Sequence, residues 1–427
     1  MYFMNEKIIE LLPEDKLLQC MHCGFCIPHC PTYKNYKIET ASPRGRLALM
    51  RAVAKNELSF TKNFSKYMRL CLLCRACEDN CPAGVSFGLL MEITRAEIEK
   101  KKKKSILKSF ILNIILTDQN KLEKIIALLR IYQKSGLQKI IRKTGILKII
   151  PPLEKLERLL IPLPVSSLKK NIKEIEKSGS NTRFKVGFFL GCVMNTMFAD
   201  TSRKTITILK EIGCEVYIPK NVKCCGAPHG VEGYRETQKK LARFNIDLFL
   251  KKELDFIITD CAGCGTALKE YKHLLEDDPE YSEKARIFSS KIKDISEFLW
   301  NEAKLRNTKK NINAKVTYHD ACHLIHTQKI SKEPRELLKI ISGLEYIELE
   351  DADMCCGSAG SYCITHPDDS IKYLKWKIEN INNTGADFVA IGNPGCLIQI
   401  MYGIRKENLK IKAVHTVDLL ATALNLE

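Results

Sequence analysis

Two cysteine runs near the start of the chain constrain its fold more than any other feature. The first reads CMHCGFCIPHCP, from Cys20 to Pro31, and the second reads CLLCRACEDNCP, from Cys71 to Pro82. Both have the spacing C-x-x-C-x-x-C-x-x-x-C-P, in which three closely spaced thiolates can occupy three corners of a [4Fe–4S] cube. A zinc site more often pairs two C-x-x-C knuckles across an intervening stretch. The runs therefore predict two iron–sulfur clusters.

The fourth cysteine of each run is expected to serve the cluster of the other run. The prediction is two sets of four ligands: Cys20, Cys23, Cys26 and Cys81 for one cluster, and Cys71, Cys74, Cys77 and Cys30 for the second. Clusters that exchange a ligand must lie close together. This proximity favours transfer of electrons between them.

A helix is predicted between the two runs, in the segment SPRGRLALMRAVAKNEL. Ser42 stands at its N-cap and Pro43 at its first helical position, and apolar residues recur along one face. Arg44 and Arg46 could either offset the negative charge of a cluster or lie in solvent as ordinary helix residues. The first unit, residues 1–100, is therefore predicted to be helical.

Residues 101–182 are predicted to form a basic helical connector, which follows a run of lysines that begins at Lys100. From Arg95 to Lys177 there are 21 Lys and Arg against 8 Asp and Glu, which is +13 of the net charge of +18. Only Phe110 and Tyr132 are aromatic there, too few for a base-stacking platform, so nucleic acid is not expected as a partner. The lysines could simply be solvated, or they could form a docking surface for an anionic partner or a membrane interface.

The cysteine content points to a reducing compartment. Nineteen cysteines, many in C-x-x-C spacing, favour metal ligands over disulfides. The segment Met1 to Asp15 lacks the features of a secretory signal. The longest apolar stretch, SILKSFILNIIL, has about 12 residues, whereas a membrane span needs about 20. We expect a cytoplasmic protein, with peripheral attachment to the inner face of the membrane as a further possibility.

The second half of the chain contains a repeat of about 130 residues. KVGFFLGC matches KVTYHDAC, KCCGAPHG matches MCCGSAGS, and DFIITDCAGC matches DFVAIGNPGC. Short apolar strands alternate with helical runs in each copy, which predicts two small α/β units with parallel sheets, at 183–310 and 311–427. The whole chain is thus expected to be an α+β multidomain protein. Loops that follow parallel strands gather at one edge of the sheet, so the cysteines of each copy should meet there.

The two copies carry different cysteine sets. The first has five, at Cys192, Cys224, Cys225, Cys261 and Cys264. The second has four, at Cys322, Cys355, Cys356 and Cys396, and Gln399 is assigned to the place of the missing fifth. The two sites are therefore predicted to differ chemically. The vicinal pair Cys224–Cys225 could instead form a redox disulfide, although metal ligation also accounts for the other spaced cysteines.

Five more residues near these motifs have alternative roles. Cys214 and Cys363 have no partner in the repeat, which favours small buried hydrophobes. His319 and His323 flank Cys322, and His229 follows the first CCG. Each histidine could be a ligand or tune one, or it could be an ordinary hydrogen-bonded loop residue.

Six segments spread over almost the whole chain resemble the iron–sulfur subunit of bacterial glycolate oxidase. These segments are CMHCGFCIPHCPTY, SPRGRLALMRAV, CLLCRACEDNCPAGVSFG, FFLGCVMN, KCCGAPHG and NPGCLIQI. The resemblance implies a helical two-cluster ferredoxin domain followed by two cysteine-rich CCG domains. The eight cysteines of the first two runs carry over as cluster ligands.

The resemblance also implies partners. An FAD-containing subunit would oxidise a 2-hydroxy acid of the glycolate or lactate type and pass electrons to this chain, which would deliver them to a membrane quinone or another acceptor. The chain contains neither G-x-G-x-x-G after a strand nor G-x-x-x-x-G-K-[ST], so the flavin is expected on another subunit.

Related CCG domains occur in the heterodisulfide reductase B subunit, where five-cysteine motifs hold non-cubane [4Fe–4S] clusters that cleave a disulfide. By this resemblance a third cluster fits the first copy, whereas the second site would hold zinc or remain empty. A catalytic disulfide reductase acting at the first copy is thus a rival prediction. Other rivals are the electron-transfer subunit of anaerobic glycerol-3-phosphate dehydrogenase and a zinc-stabilised scaffold.

Overall fold

The computed structural model describes residues 12–102, 105–149, 151–179 and 181–426, in which a helical region precedes two β-sheets. Most of the segment Met1 to Asp15 and part of the lysine run at 100–104 lie outside these residues. The described part of the chain contains no helix that is long and apolar enough to cross a membrane.

The N-terminal region is helical, as predicted. Its Ser42 N-cap is confirmed, because the Ser42 hydroxyl accepts a hydrogen bond from the Gly45 N–H at 3.0 Å. A Cβ atom at Gly45 would lie 2.0 Å from the Glu39 carbonyl oxygen, so this helix start requires glycine. The α-helices are Glu14–Leu18, Pro31–Tyr36, Pro43–Ala54, Lys62–Arg69, Ala76–Asp79 and Phe87–Lys101, with a 3₁₀ turn at Glu39–Ala41.

The basic stretch that follows is also helical. Several of its aliphatic side chains are exposed between the lysines, among them Ile106, Leu107, Leu128 and Ile149. Its α-helices are Ile106–Phe110, Gln119–Lys134, Leu137–Thr144 and Pro151–Arg158, with a π-helical turn at Ile111–Ile115 and 3₁₀ turns at Ile146–Ile149 and Leu168–Asn171.

The first sheet has five strands in the order β1-β3-β2-β4-β5. The edge strand β1 is antiparallel to β3 and lies before residue 182, where the connector was predicted to end, whereas the other pairs are parallel. In the register, Val186 lies opposite Val216 and Phe256. The strands are β1 Ile175–Glu176, β2 Phe184–Phe188, β3 Cys214–Tyr217, β4 Phe256–Thr259 and β5 Ile292–Asp294.

The second sheet repeats the parallel part of the first. Its order is β7-β6-β8-β9, all parallel, so each strand has the same neighbours as its counterpart four strands earlier. Val316 lies opposite Tyr346 and Phe388, as Val186 does opposite Val216 and Phe256. The strands are β6 Ala314–His319, β7 Leu344–Ile347, β8 Phe388–Ile391 and β9 Lys412–His415. The repeat predicted from the sequence is therefore confirmed.

Helices follow the strands of both sheets, and one helix in each unit begins at a cysteine. Cys192 and Cys322 each begin the helix that follows the first parallel strand of a unit. In the first unit the α-helices are Cys192–Met197, Ala199–Glu211, Ala227–Glu232, Arg235–Leu250, Ala262–Lys269, Tyr271–Leu274, Ser282–Ser290 and Ile295–Glu297, with a π-helical turn at Phe298–Glu302. In the second they are Cys322–Gln328, Lys332–Lys339, Tyr362–Thr365, Pro367–Asn383, Pro394–Lys406 and Thr416–Ala423.

The N-terminal helical region packs directly on both α/β units. Arg75 forms an ion pair with Glu270 of the first unit. His323 of the second unit is hydrogen-bonded to the Leu73 carbonyl at 3.0 Å, and His326 meets Asp79 at 2.9 Å. The second cysteine run is therefore held between the two units.

Candidate metal centres

The eight cysteines of the two runs line two adjacent pockets. One pocket is lined by the predicted first set, Cys20, Cys23, Cys26 and Cys81. The other is lined by the predicted second set, Cys30, Cys71, Cys74 and Cys77. Cys77 and Phe87 border both pockets, so the two are neighbours.

Both runs curl in the same way because they share two unusual backbone positions. The residues two and four places after the first cysteine have positive φ, namely His22 and Gly24 in the first run and Leu73 and Arg75 in the second. Left-handed positions of this kind turn the chain sharply, which brings cysteines close in sequence around one cavity. Only Gly24 adopts such a conformation at little cost.

The two arginines of the SPRGR segment have different roles. Arg44 is half-buried, beside the first pocket, and pairs with Glu39 at 2.7 Å. Arg46 is fully buried beside the second pocket and donates to the carbonyls of Ala41 and Tyr67 and to the Thr32 hydroxyl.

Arg46 and its neighbours suit an anionic group in the second pocket. Within the described residues, one guanidinium nitrogen of Arg46, Nη2, has no hydrogen-bond partner although it is buried. The Thr32 hydroxyl lies 3.2 Å from the Cys30 sulfur. A buried cation and four thiolates fit a cluster of net negative charge. This residue set, with sulfur donors only, therefore fits the predicted iron–sulfur group.

The five cysteines of the first CCG unit form one continuous buried group. Neighbouring thiols are hydrogen-bonded in the order Cys192, Cys224, Cys225, Cys264, Cys261. All five are less than 10% exposed, at 7%, 0%, 3%, 7% and 6% in that order. All 19 cysteines, which lie within the described residues, are free thiols, so the alternative of a Cys224–Cys225 disulfide is not observed.

The cysteines of this five-membered group differ in the pKa of their thiols. The hydrogen bond with Cys224, together with burial, raises the pKa of the Cys192 thiol well above its usual value. Hydrogen bonds from Cys224 and Cys264 lower the pKa of Cys225 to about 6. Backbone N–H groups also point at sulfur, from Gly226 to Cys224 at 3.5 Å and from Cys264 to Cys261 at 3.4 Å. Cys225 is therefore the cysteine of this group whose thiolate, the form that binds soft metals, is stabilised by its neighbours.

The four cysteines of the second CCG unit also lie together, next to the second pocket of the N-terminal region. Their thiols are hydrogen-bonded in the order Cys322, Cys355, Cys356, Cys396. Cys74 packs in one cluster with Cys355 and Cys322. The second unit therefore adjoins the Cys74 pocket, which the first unit reaches through the Arg75–Glu270 ion pair.

The missing fifth cysteine of the second unit corresponds to Asn393, and the assignment to Gln399 was wrong. Cys261 and Asn393 are the N-caps of equivalent helices, Ala262–Lys269 and Pro394–Lys406. Gln399 lies farther along the latter helix and donates to the Ser370 hydroxyl at 2.8 Å. The matched segments DFIITDCAGC and DFVAIGNPGC already contain this register, because they align Cys264 with Cys396.

Asn393 joins the two CCG sites. Its amide nitrogen donates to the Cys396 sulfur at 3.3 Å, and its amide oxygen accepts from the Gly263 N–H at 3.2 Å. The same oxygen lies 3.7 Å from the Cys261 sulfur. One side chain thus links the last cysteine of the second unit to the loop that carries Cys261.

The three histidines and the two remaining cysteines near these sites have different surroundings. His229 is hydrogen-bonded to the Leu112 carbonyl at 2.6 Å and His323 to the Leu73 carbonyl, so both make ordinary hydrogen bonds. His319 instead lies close to Cys356 and Cys396. Cys214 is fully buried and packs in the hydrophobic core of the first unit, as predicted. Cys363 is half-buried, and its thiol donates to the Gly360 carbonyl.

Comparison with known families covers most of the chain. The model for a 4Fe-4S dicluster domain matches residues 16–85, and that for a cysteine-rich domain, CCG, matches 186–269 and 316–401. A model for the linker region of the glycolate oxidase iron–sulfur subunit matches residues 103–160. A probable glycolate oxidase iron–sulfur subunit of Bacillus subtilis (strain 168) is 42% identical over 426 residues, 97% of this chain and 95% of that protein. The chain belongs to the glycolate oxidase iron–sulfur subunit family.

Two further relatives match different shares of this chain. The glycolate oxidase iron–sulfur subunit of Escherichia coli (strain K12) is 29% identical over 90% of both chains. Lactate utilization protein A of Oceanobacillus iheyensis is 32% identical over 238 residues, 56% of this chain and 97% of that protein. The glycolate oxidase relatives therefore share the whole architecture, and the lactate protein matches only part of it. The resemblance and the fold class inferred from the sequence are confirmed.

Proposed function

We propose that this chain is the iron–sulfur electron-transfer subunit of a flavin-dependent 2-hydroxy acid dehydrogenase. The observation that supports it most is the pair of four-cysteine pockets that share Cys77 and Phe87 as a border. Iron–sulfur clusters, when bound there, would supply one-electron redox chemistry, which complements the two-electron chemistry of a flavin. The partner is an FAD-containing subunit that oxidises glycolate or lactate, and the acceptor is a quinone or another oxidant.

The chain's own residues hold and shield these groups. Cys20, Cys23, Cys26 and Cys81 bind one [4Fe–4S] cluster, and Cys30, Cys71, Cys74 and Cys77 bind the other. Arg46 offsets negative charge beside the second pocket and fixes Thr32 near Cys30. The five-cysteine group of the first CCG unit holds a third, non-cubane cluster. Cys74 packs in one cluster with Cys322 and Cys355, so the second pocket lies against the second CCG unit.

Burial of the five-cysteine group disfavours the rival role of a disulfide reductase. A substrate disulfide would need direct access to these sulfurs, and none is more than 7% exposed. The glycerol-3-phosphate alternative differs only in the flavoprotein that binds. Identification of that flavoprotein therefore separates the two electron-transfer roles.

The test is whether the partner flavoprotein reduces this chain in the absence of oxygen. The purified chain is mixed with a purified FAD-containing glycolate or lactate dehydrogenase subunit, and its visible absorbance is followed after addition of the hydroxy acid. We expect bleaching that depends on both the hydroxy acid and the flavoprotein. Bleaching only with a glycerol-3-phosphate flavoprotein, or turnover of a disulfide by the isolated reduced chain, would identify one of the rival functions instead.

The proposal includes peripheral contact with a membrane through the connector. Its exposed aliphatic residues, Ile106, Leu107 and Leu128, stand among lysines, a combination that suits an anionic lipid surface. We expect the chain to sediment with phosphatidylglycerol vesicles and not with phosphatidylcholine vesicles. Leu107→Glu should weaken this binding about tenfold, because it removes apolar area and adds a negative charge. Ile364→Glu, at an exposed position of the second CCG unit, is the matched control; equal binding by all variants would exclude this surface.

A further inference from the structure

His319, at the end of β6, is buried without any evident structural role. It is 0% exposed, and neither ring nitrogen has a hydrogen-bond partner among the described residues. The Ala352 carbonyl, which lies near the ring, is outside hydrogen-bond geometry with it and accepts from the Asp320 N–H at 3.1 Å. Buried imidazoles usually have a partner, and an unpaired one indicates a group that the ring binds.

Two cysteines complete a possible ligand set around this ring. A ring nitrogen of His319 and the sulfurs of Cys356 and Cys396 all lie within 4.8 Å of one another. Both cysteines are buried, at 1% and 4% exposure. Imidazole nitrogen and thiolate sulfur are the donors that a tetrahedral zinc ion takes in proteins.

At two equivalent positions, the second CCG unit differs from the first in the side chains that could bind a metal. Phe189 occupies the equivalent position of His319 in the aligned segments KVGFFLGC and KVTYHDAC, and its ring stacks on Phe249. Asn393 occupies the position of Cys261. The second unit has therefore lost one thiol and gained one imidazole, which favours a mononuclear ion over an all-sulfur cluster.

Two polar side chains lie next to the sulfur atoms of this ligand set. The Asn393 amide donates to the Cys396 sulfur, as groups outside the coordination sphere commonly do to metal-bound thiolates. The ammonium group of Lys377, which is 2% exposed, is held by the carbonyls of Asp351 and Ala352 and lies near Cys356.

We propose that His319, Cys356 and Cys396 bind a single zinc-class metal ion in the second CCG unit. The site does not depend on the proposed electron-transfer role, because it concerns an ion that does not change its redox state. The ion holds the loop that follows Cys355 and Cys356 against β6, next to Cys74.

The test compares zinc and iron per chain in protein purified without oxygen. Wild type is expected to retain about one zinc ion in addition to its iron. His319→Phe, which installs the residue of the first unit, and His319→Ala should both lose the zinc and keep the iron. His229→Phe, at another buried histidine, should keep both metals. Circular dichroism of each variant confirms that it is folded.

X-ray absorption at the zinc edge identifies the ligand atoms directly in the wild-type protein. We expect both nitrogen and sulfur scatterers, at about 2.0 Å and 2.3 Å. Zinc that survives both His319 substitutions, coordination by sulfur alone, or loss of about four irons with His319→Phe would overturn the proposal.

Discussion

Replacement of Cys74 by serine is expected to stop transfer of electrons from the partner dehydrogenase to the final acceptor. Cys74 lines the second pocket, so it belongs to the proposed route of electrons through the two N-terminal clusters, and it packs in one cluster with Cys322 and Cys355 of the second CCG unit. A serine oxygen is a hard donor and replaces a thiolate poorly on iron. Changes outside a coordination sphere already cost 10- to 100-fold, so a ligand change should reduce this rate about 100-fold or more.

The measurement compares two acceptors. Hydroxy acid oxidation is followed with the natural acceptor and with an artificial dye that takes electrons directly from the partner flavin. We expect Cys74→Ser to lose only the first activity. Cys363→Ser, at a half-buried cysteine outside all four cysteine groups, should retain both. Normal transfer to the natural acceptor in Cys74→Ser would contradict the route, and loss of both activities would indicate failed assembly.

Replacement of Arg95 by methionine is expected to loosen the N-terminal region from the first CCG unit. Arg95 is 5% exposed, and its guanidinium donates to the carbonyls of Met68, Cys71 and Val231, at 2.9, 2.6 and 2.9 Å. Methionine of similar length would leave these carbonyls unpaired in the interior. Because hydrogen bonds to a buried charged group contribute about 1.5–3 kcal/mol each, we expect the free energy of unfolding to fall by about 3 kcal/mol or more.

Denaturant midpoints and limited proteolysis measure this effect. Arg95→Met should unfold at lower denaturant and be cut faster between the N-terminal region and the first CCG unit. Arg203→Met, at an exposed position on the helix Ala199–Glu211, should behave like wild type. If the two variants have the same midpoint, Arg95 does not hold the interface.

Local spacing was sufficient to predict the two cysteine pockets. The cysteines of each run are close in sequence, and positive φ at His22 and Leu73 only completes a curl that the spacing already implies. The crossing of Cys30 and Cys81 also followed from the motif. In the same way, Ser42 and Pro43 were sufficient to predict the start of their helix, because a helix cap depends on adjacent residues.

Contacts between distant segments could not be predicted in this way. The bonds from Arg95 to Val231 and from His323 to Leu73 join residues more than 100 positions apart, and only packing of the three units brings them together. Asn393 was predictable in principle, from the register of two matched segments. His319 stood out only by proximity to Cys322, and the lack of a hydrogen-bond partner that distinguishes it from His229 is a property of the folded core.

Iron and acid-labile sulfide per chain, measured on protein purified without oxygen, show whether the proposed clusters are present. We expect about 12 irons and as many sulfides, about 8 from the two N-terminal clusters and about 4 from the five-cysteine group of the first CCG unit. Zinc in all of these sites, without iron or sulfide, would contradict an electron-transfer role and leave the chain a zinc-stabilised scaffold.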